Sequence, residues 1–248
     1  MFDIDGVLNE HGGNIMDCSK KAIQLLRDRN LRVCFASGKH AWYIQGGLVW
    51  SGLLEKDTVI VAENGGVVYD PNTRQKITEE NHLADVRLLR NIFYNLYSRN
   101  NGYLQFASMR VWEEPKETLF CLFPQKPIDV KPLAKILKEI IELNQLKLYI
   151  VENLDSVDVL QLNVNKASGL KKANALMGVT SKEIIAFGDS YNDMEMLEVV
   201  GFAVTVNNGK KEIKEIVKNK RSKGYIAKQN YGDGVLEAVE YLIDQKLI

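Results

Sequence analysis

The chain has 248 residues, 46% hydrophobic and 26% charged, with 32 basic and 32 acidic side chains that cancel; this is enough chain for one large domain or two smaller ones. The balance leaves out the basic excess of a general nucleic-acid binder and the acidic tail that would seek a basic partner. No apolar run approaches the roughly 18 residues of a membrane helix, and no basic-then-apolar leader opens the chain.

At the start, the apolar pair Met1-Phe2 runs into Asp3 and Asp5 and then Gly6. Residues 19–30 predict a helix with Ala22, Ile23, Leu25 and Leu26 on one face and Ser19 as its cap. Residues 31–37, LRVCFAS, and 57–66, DTVIVAENGG, predict apolar strands. The middle then changes character: a helix over 83–99, a strand over 118–124, a helix over 129–144, and strands over 146–152 and 157–164. The first pattern returns with a helix over 168–179 closed by Gly178, a strand over 183–190, a helix over 193–201, a strand over 202–206 and a helix over 232–244.

Continuous apolar strands alternating with helices imply a parallel sheet covered on both faces. The expected fold is α/β: a Rossmann-like, doubly wound core formed by residues 1–70 and 164–248. An α+β domain with an antiparallel sheet, residues 71–163, is inserted into it. Cys18, Cys34 and Cys121 are widely spaced with no CxxC pair, which predicts free thiols in a reducing, cytoplasmic setting.

Ligands of open parallel sheets sit beyond the carboxyl ends of the strands. At those ends lie Asp3 and Asp5; Ser37, Gly38 and Lys39; Glu63 to Gly66; and Gly188, Asp189, Ser190, Asn192 and Asp193, with Lys166 before a helix start. Carboxylates gathered there repel one another without a cation, and a set with no His or Cys suits Mg²⁺. Ser37, the Gly38 amide and Lys166 are phosphate-type partners. Carboxylate, Mg²⁺ and phosphate cradle together point to phosphoryl transfer, with Asp3 and Asp5 as nucleophile and proton shuttle.

DIDGVL, ASGK, NKASGL and GDSYNDMEML, in that order, resemble the four motifs of the haloacid dehalogenase superfamily of phosphatases. The likeness spans nearly the whole chain. An insertion between the second and third motifs resembles the Cof-type branch, whose large α/β cap sets specificity. VAENGG, MRVWEE and NYGDGVLEAVEYL look most like archaeal phosphoglycolate phosphatases. The resemblance implies Asp3 as nucleophile and Mg²⁺ ligand, and Asp5 as acid/base with its carbonyl on the metal. It implies Ser37, Gly38 and Lys166 on the phosphoryl group, Asp189 and Asp193 in the metal shell, with Asp193 also orienting Lys166, and Asn192 facing substrate. The implied partner is a small phosphorylated metabolite, phosphoglycolate or a sugar phosphate, with no nucleic acid or membrane; a homodimer is left open.

Two positions depart from the family. Lys39 stands where many members have Arg or Asn, and could touch a substrate carboxylate. Only Met1 and Phe2 precede Asp3, where members have several more residues, so the first strand is expected to be short or to lack its beginning. Sugar phosphatases specific for mannosyl-3-phosphoglycerate or sucrose phosphate, phosphomannomutases, and a non-catalytic protein of the same fold remain alternatives. Arg110 and Trp112 could read a leaving group or form an edge-strand surface. Asn64-Gly65-Gly66 could be a structural turn or line the substrate. His11, His40 and His82 lack ligand spacing, and 218–224 reads as a helix end and loop.

Overall fold

In the computed structural model, which describes residues 1–98 and 109–248, alternation along short apolar strands builds the main sheet. Its strands are β1 (Phe35–Ala36), β2 (Ile60–Ala62), β3 (Val67–Asp70), β4 (Gln75–Thr78), β9 (Ile185–Phe187), β10 (Phe202–Thr205) and β11 (Gly224–Ile226). The order β11-β10-β9 joins β1-β2-β3-β4 through the first residues of the chain. Phe2 bridges in parallel to both Phe35 and Phe187. Its N–H donates to Cys34 O, and Asp3 N donates to Phe187 O. The opening residues are therefore paired on both sides at the centre of the sheet.

Neighbouring residues face opposite layers, as a pleated strand requires. Phe2, Phe35, Ile60, Phe187 and Val204 pack on one face with helices α1 (Asp17–Arg27), α2 (Ala41–Trp50) and α8 (Tyr231–Asp244). Met1, Ala36, Val61, Ala186 and Ala203 pack on the other with α5 (Lys166–Met177), α6 (Met194–Val199) and α7 (Lys211–Asn219). Both faces being covered explains why these strands are apolar throughout.

The second unit has the strand order β5-β6-β8-β7, antiparallel throughout. These are Val111–Glu114, Phe120–Pro124, Val157–Gln161 and Leu148–Glu152. One face carries α3 (Leu83–Ser98) and α4 (Val130–Leu143), with Leu89, Phe93, Phe120, Leu133, Leu137 and Val159 at its core. Among the described residues no helix is long and apolar enough to cross a membrane.

The structure differs from the sequence reading in several places. The chain forms two compact units, Met1–Ile77 with Asn165–Ile248, and Thr78–Val164. The first joint moves from about residue 70 because β3 turns back antiparallel on β2 and β4 follows beside it. Ser19 is no cap: it is buried inside α1, and its hydroxyl donates to Leu8 O at 2.7 Å. Helix α2 has no apolar periodicity to reveal it, and β11 is only three residues long; neither was assigned. The part of the 83–99 helix beyond Ser98 lies outside the described residues.

Candidate active site

Each strand end delivers its polar residues to one edge. Asp3 follows the central Phe2 pairing, and Ser37 follows β1, whose Ala36 N donates to Phe2 O. Gly188 to Asp193 follow β9. Lys166 is the first residue of α5, whose Asn165 cap accepts from Ser168 N while Ser168 Oγ accepts from Asn165 N. The backbone of Gly65 (φ +98°) lies so close to α5 that a Cβ there would fall 2.0 Å from Asn165 O. Only glycine lets the turn after β2 seat the helix that carries Lys166.

Four predicted residues meet in a buried cluster. Lys166 Nζ lies 2.8 Å from Asp3 Oδ1 and 2.6 Å from Asp193 Oδ1. Asp193 Oδ2 accepts from the Asp189 and Ser190 amides at 3.0 and 3.1 Å. Asp3, Asp189 and Asp193 each bring a carboxylate oxygen within 4.8 Å of the others. Burial and then Asp193 push the Asp3 carboxyl well above its usual range, against the pull of Lys166. The same two causes push Asp189 up to about 7. Burial disfavours the Lys166 ammonium, but Asp193 and Asp3 outweigh it and hold the amine above its usual value.

The cluster fits a hard cation. Asp189 Oδ1 is buried without a hydrogen-bond partner among the described residues, a costly state that a cation would relieve. The donors are all oxygen, as Mg²⁺ prefers. Asp193 already spends both oxygens on Lys166 and backbone amides, so Asp3 and Asp189 are the carboxylates best placed to hold a metal, and Asp193 the one that orients Lys166.

Asp5 lies apart from this group. Its half-buried carboxylate sits 3.6 Å from Lys39 Nζ and accepts from Asn9 Nδ2 at 3.4 Å. Ser37 Oγ accepts from Lys39 N at 3.2 Å, and a Cβ on Gly38 would meet the Asn64 amide at 3.2 Å. Asn192 donates to Asn64 Oδ1 at 3.1 Å and accepts from Ser190 Oγ at 2.7 Å. It thus ties the β9 loop to the turn after β2.

Two residues escaped the sequence reading although the strand-end rule covers them. After β10, Asn208 Nδ2 donates to Gly6 O at 2.8 Å, and Lys210 N donates to Asp189 O at 2.9 Å. Gly6 has φ +86°, and a Cβ on it would fall 2.4 Å from Asp189 Oδ2. The turn after Asp3 and the acidic loop are therefore mutually fitted.

The sequence matches the family profile of haloacid dehalogenase-like hydrolases over residues 1–119 and 112–239. The chain belongs to that family. This hydrolase is an enzyme of phosphatase type. It is similar to the phosphoglycolate phosphatase of Methanosarcina acetivorans, at 29% identity over 98% of this chain and 95% of that one. It is 25% identical to the 5-amino-6-(5-phospho-D-ribitylamino)uracil phosphatase of Bacillus subtilis, over 98% and 94%. Its fold is that of a haloacid dehalogenase-like hydrolase from Bacteroides thetaiotaomicron, with TM-score 0.74, 20% identity and 97% of each chain covered.

Proposed function

We propose that this hydrolase is a cytoplasmic, Mg²⁺-dependent phosphomonoesterase that cleaves a small phosphorylated metabolite through an aspartyl phosphate on Asp3. The observation that carries the reading is the buried Lys166 ammonium held between Asp3 and Asp193, beside Asp189 Oδ1, which has no hydrogen-bond partner among the described residues. Phosphoglycolate and sugar phosphates are the first candidates, and the esters for which the similar phosphatases are named support a substrate of modest size.

Asp3 attacks phosphorus with one carboxylate oxygen, and the bond to the leaving oxygen breaks. Asp5 gives its proton to that oxygen, then takes one from the water that attacks the aspartyl phosphate; Asp3 is regenerated and inorganic phosphate leaves. Asp5 suits this shuttle because its carboxylate lies outside the tight acidic cluster. Lys166, Ser37 and the Gly38 amide hold the phosphoryl oxygens, and Asp193 fixes Lys166. Asp3 and Asp189, with the Asp5 carbonyl, would hold Mg²⁺, which supplies positive charge to the phosphoryl group. Burial disfavours ionised Asp3 and the Lys166 ammonium favours it; a bound cation would add to the Lys166 effect.

Phosphate release from phosphoglycolate, sugar phosphates and p-nitrophenyl phosphate tests the reading. Release with Mg²⁺ and none with EDTA is expected. Asp3→Asn should lower turnover by about a thousandfold or more with an unchanged circular dichroism spectrum. No release from any ester, or full activity in Asp3→Asn, would overturn the mechanism.

A further inference from the structure

The phosphoryl cluster leaves unexplained a cavity of about 640 Å³ within the first unit, beside Asp5. Its walls are the loop over residues 9–15 and the face of α2 that carries Tyr43, Gly46, Gly47 and Trp50, with Trp42 beside it. We propose that this cavity receives the leaving group of the phosphomonoester, and that this group carries a planar heteroaromatic ring laid against Trp42 and Tyr43. The inference rests on the phosphatase reading but puts a ring-bearing ester ahead of phosphoglycolate and the sugar phosphates as the preferred substrate.

Size is the first argument. The volume is that of a site for a drug-sized molecule, far beyond what a two-carbon acid fills. The second argument is the wall. Trp42 and Tyr43 are 63% and 66% exposed, on a helix whose Ile44 and Leu48 already supply the core contact. Trp42 also packs tilted against Tyr69, with ring centroids 5.8 Å apart, and the faces that both rings leave open on the cavity wall can stack a flat group.

The glycines supply the third. Glycine is the poorest ordinary helix former, yet Gly46 and Gly47 stand together inside α2. A Cβ at either would meet nothing within 4 Å, so packing within the protein does not require them. Their effect is an open floor between Tyr43 and Trp50, one helical turn from each.

Two polar groups give the cavity direction. Asn9 lines it and is 4% exposed; its amide donates to Gly13 O at 2.7 Å, but its Oδ1 has no hydrogen-bond partner among the described residues. That acceptor matches a ring N–H. Lys39 Nζ lies 3.6 Å from Asp5 Oδ2 and 5.6 Å from the centre of the Tyr43 ring. It stands between the proton shuttle and the aromatic wall, where it can meet a ring oxygen. An ester whose leaving oxygen is at Asp5 thus has its ring on α2.

The test compares kcat/KM of the full chain for two ring-bearing esters, flavin mononucleotide and uridine 5′-monophosphate, with phosphoglycolate and glucose 6-phosphate. Trp42→Ala removes a wall. Gly46→Leu fills the floor with a better helix former in open space, so Tm should hold or rise and unfolding cannot explain a loss. At least one ring-bearing ester should be preferred about tenfold, the scale of one stacking contact. Both variants should erase that preference and leave the ringless esters within about twofold of the parent enzyme.

Equal or better use of the ringless esters overturns the inference. So does a parallel loss on all four, or a change in sedimentation without a change in selectivity, which would mark the aromatic face as a self-association surface. If the parent enzyme hydrolyses nothing, the phosphatase reading falls, and calorimetric titration of the Asp3→Asn protein decides the cavity separately. Flavin mononucleotide binding tighter than phosphoglycolate, with the margin lost in Gly46→Leu, sustains the cavity assignment; no such margin overturns it.

Discussion

Asp3 and Asp193 both pair with the buried Lys166 ammonium, and Asp189 lies beside them, which leaves the cluster short of positive charge when all three are ionised. Asp189 answers by rising to about 7, from burial first and Asp193 second. Folded protein therefore keeps a proton there that the unfolded chain, with its ordinary value of 3.8, gives up. Without metal, Asp189 subtracts stability as pH rises from about 4 to about 7. In EDTA, Asp189→Asn should melt higher than the parent at pH 8, with the two converging near pH 4. Mg²⁺ should reverse the order at pH 8. Melting curves across that range decide it, and an offset that does not vary with pH would refute the electrostatic account. These aspartates and Lys166 were legible as strand-end and helix-start residues. Which oxygen meets which cation was not, and the separate place of Asp5 emerged only from the folded turn.

Secondary structure was readable where packing imposes a period. Helices α1 and α4 bury every third or fourth residue, and that stripe is visible in the chain. Helix α2 has no such stripe, because its outer side carries Trp42, Tyr43, Val49 and Trp50. Strand β11 is held partly from outside itself. Tyr225 Oη donates to Glu237 Oε1 on α8 at 2.8 Å, and the Lys228 and Gln229 amides donate to the same carboxylate at 2.9–3.0 Å. Burial works against this carboxylate, but the donors outweigh it and hold its pKa below 4.5. The contribution is thus complete above about 4.5 and lost as pH falls through the lowered value. Glu237→Gln should cost about 1 kcal/mol at pH 7, and the cost should vanish in acid. Urea unfolding at pH 7 and at successively lower pH measures both, and a cost that does not fall in acid would contradict the assignment.

Each unit has a core of its own. Leu137 is fully buried in the second unit between α4, α3 and the sheet. Leu137→Ala should cost about 2–5 kcal/mol. Hydrogen exchange should quicken in Thr78–Val164 and stay as in the parent across β1, β2, β9 and β10. Comparable loosening in both units would show that the two cores do not act separately. The inserted character of the second unit was legible as a change of pattern. Its first boundary was not, because β3 and β4 read locally like the start of an insertion while their hydrogen bonds belong to the main sheet.

The sequence by itself determined the alternation of apolar strands with helices and the order of its four motifs, and with them the family. Strand ends gather at one edge of any doubly wound sheet, so position along the chain is enough to nominate Asp3, Ser37, Lys166, Asp189 and Asp193. Tertiary structure alone decided that Asp193 spends its oxygens on Lys166 and backbone amides, that Asp189 is left with one oxygen unpartnered among the described residues, and that the loop over residues 9–15 meets the glycine face of α2 around a cavity. Those outcomes depend on contacts between distant segments, which leave no period in the chain, whereas helices and strands repeat and therefore show.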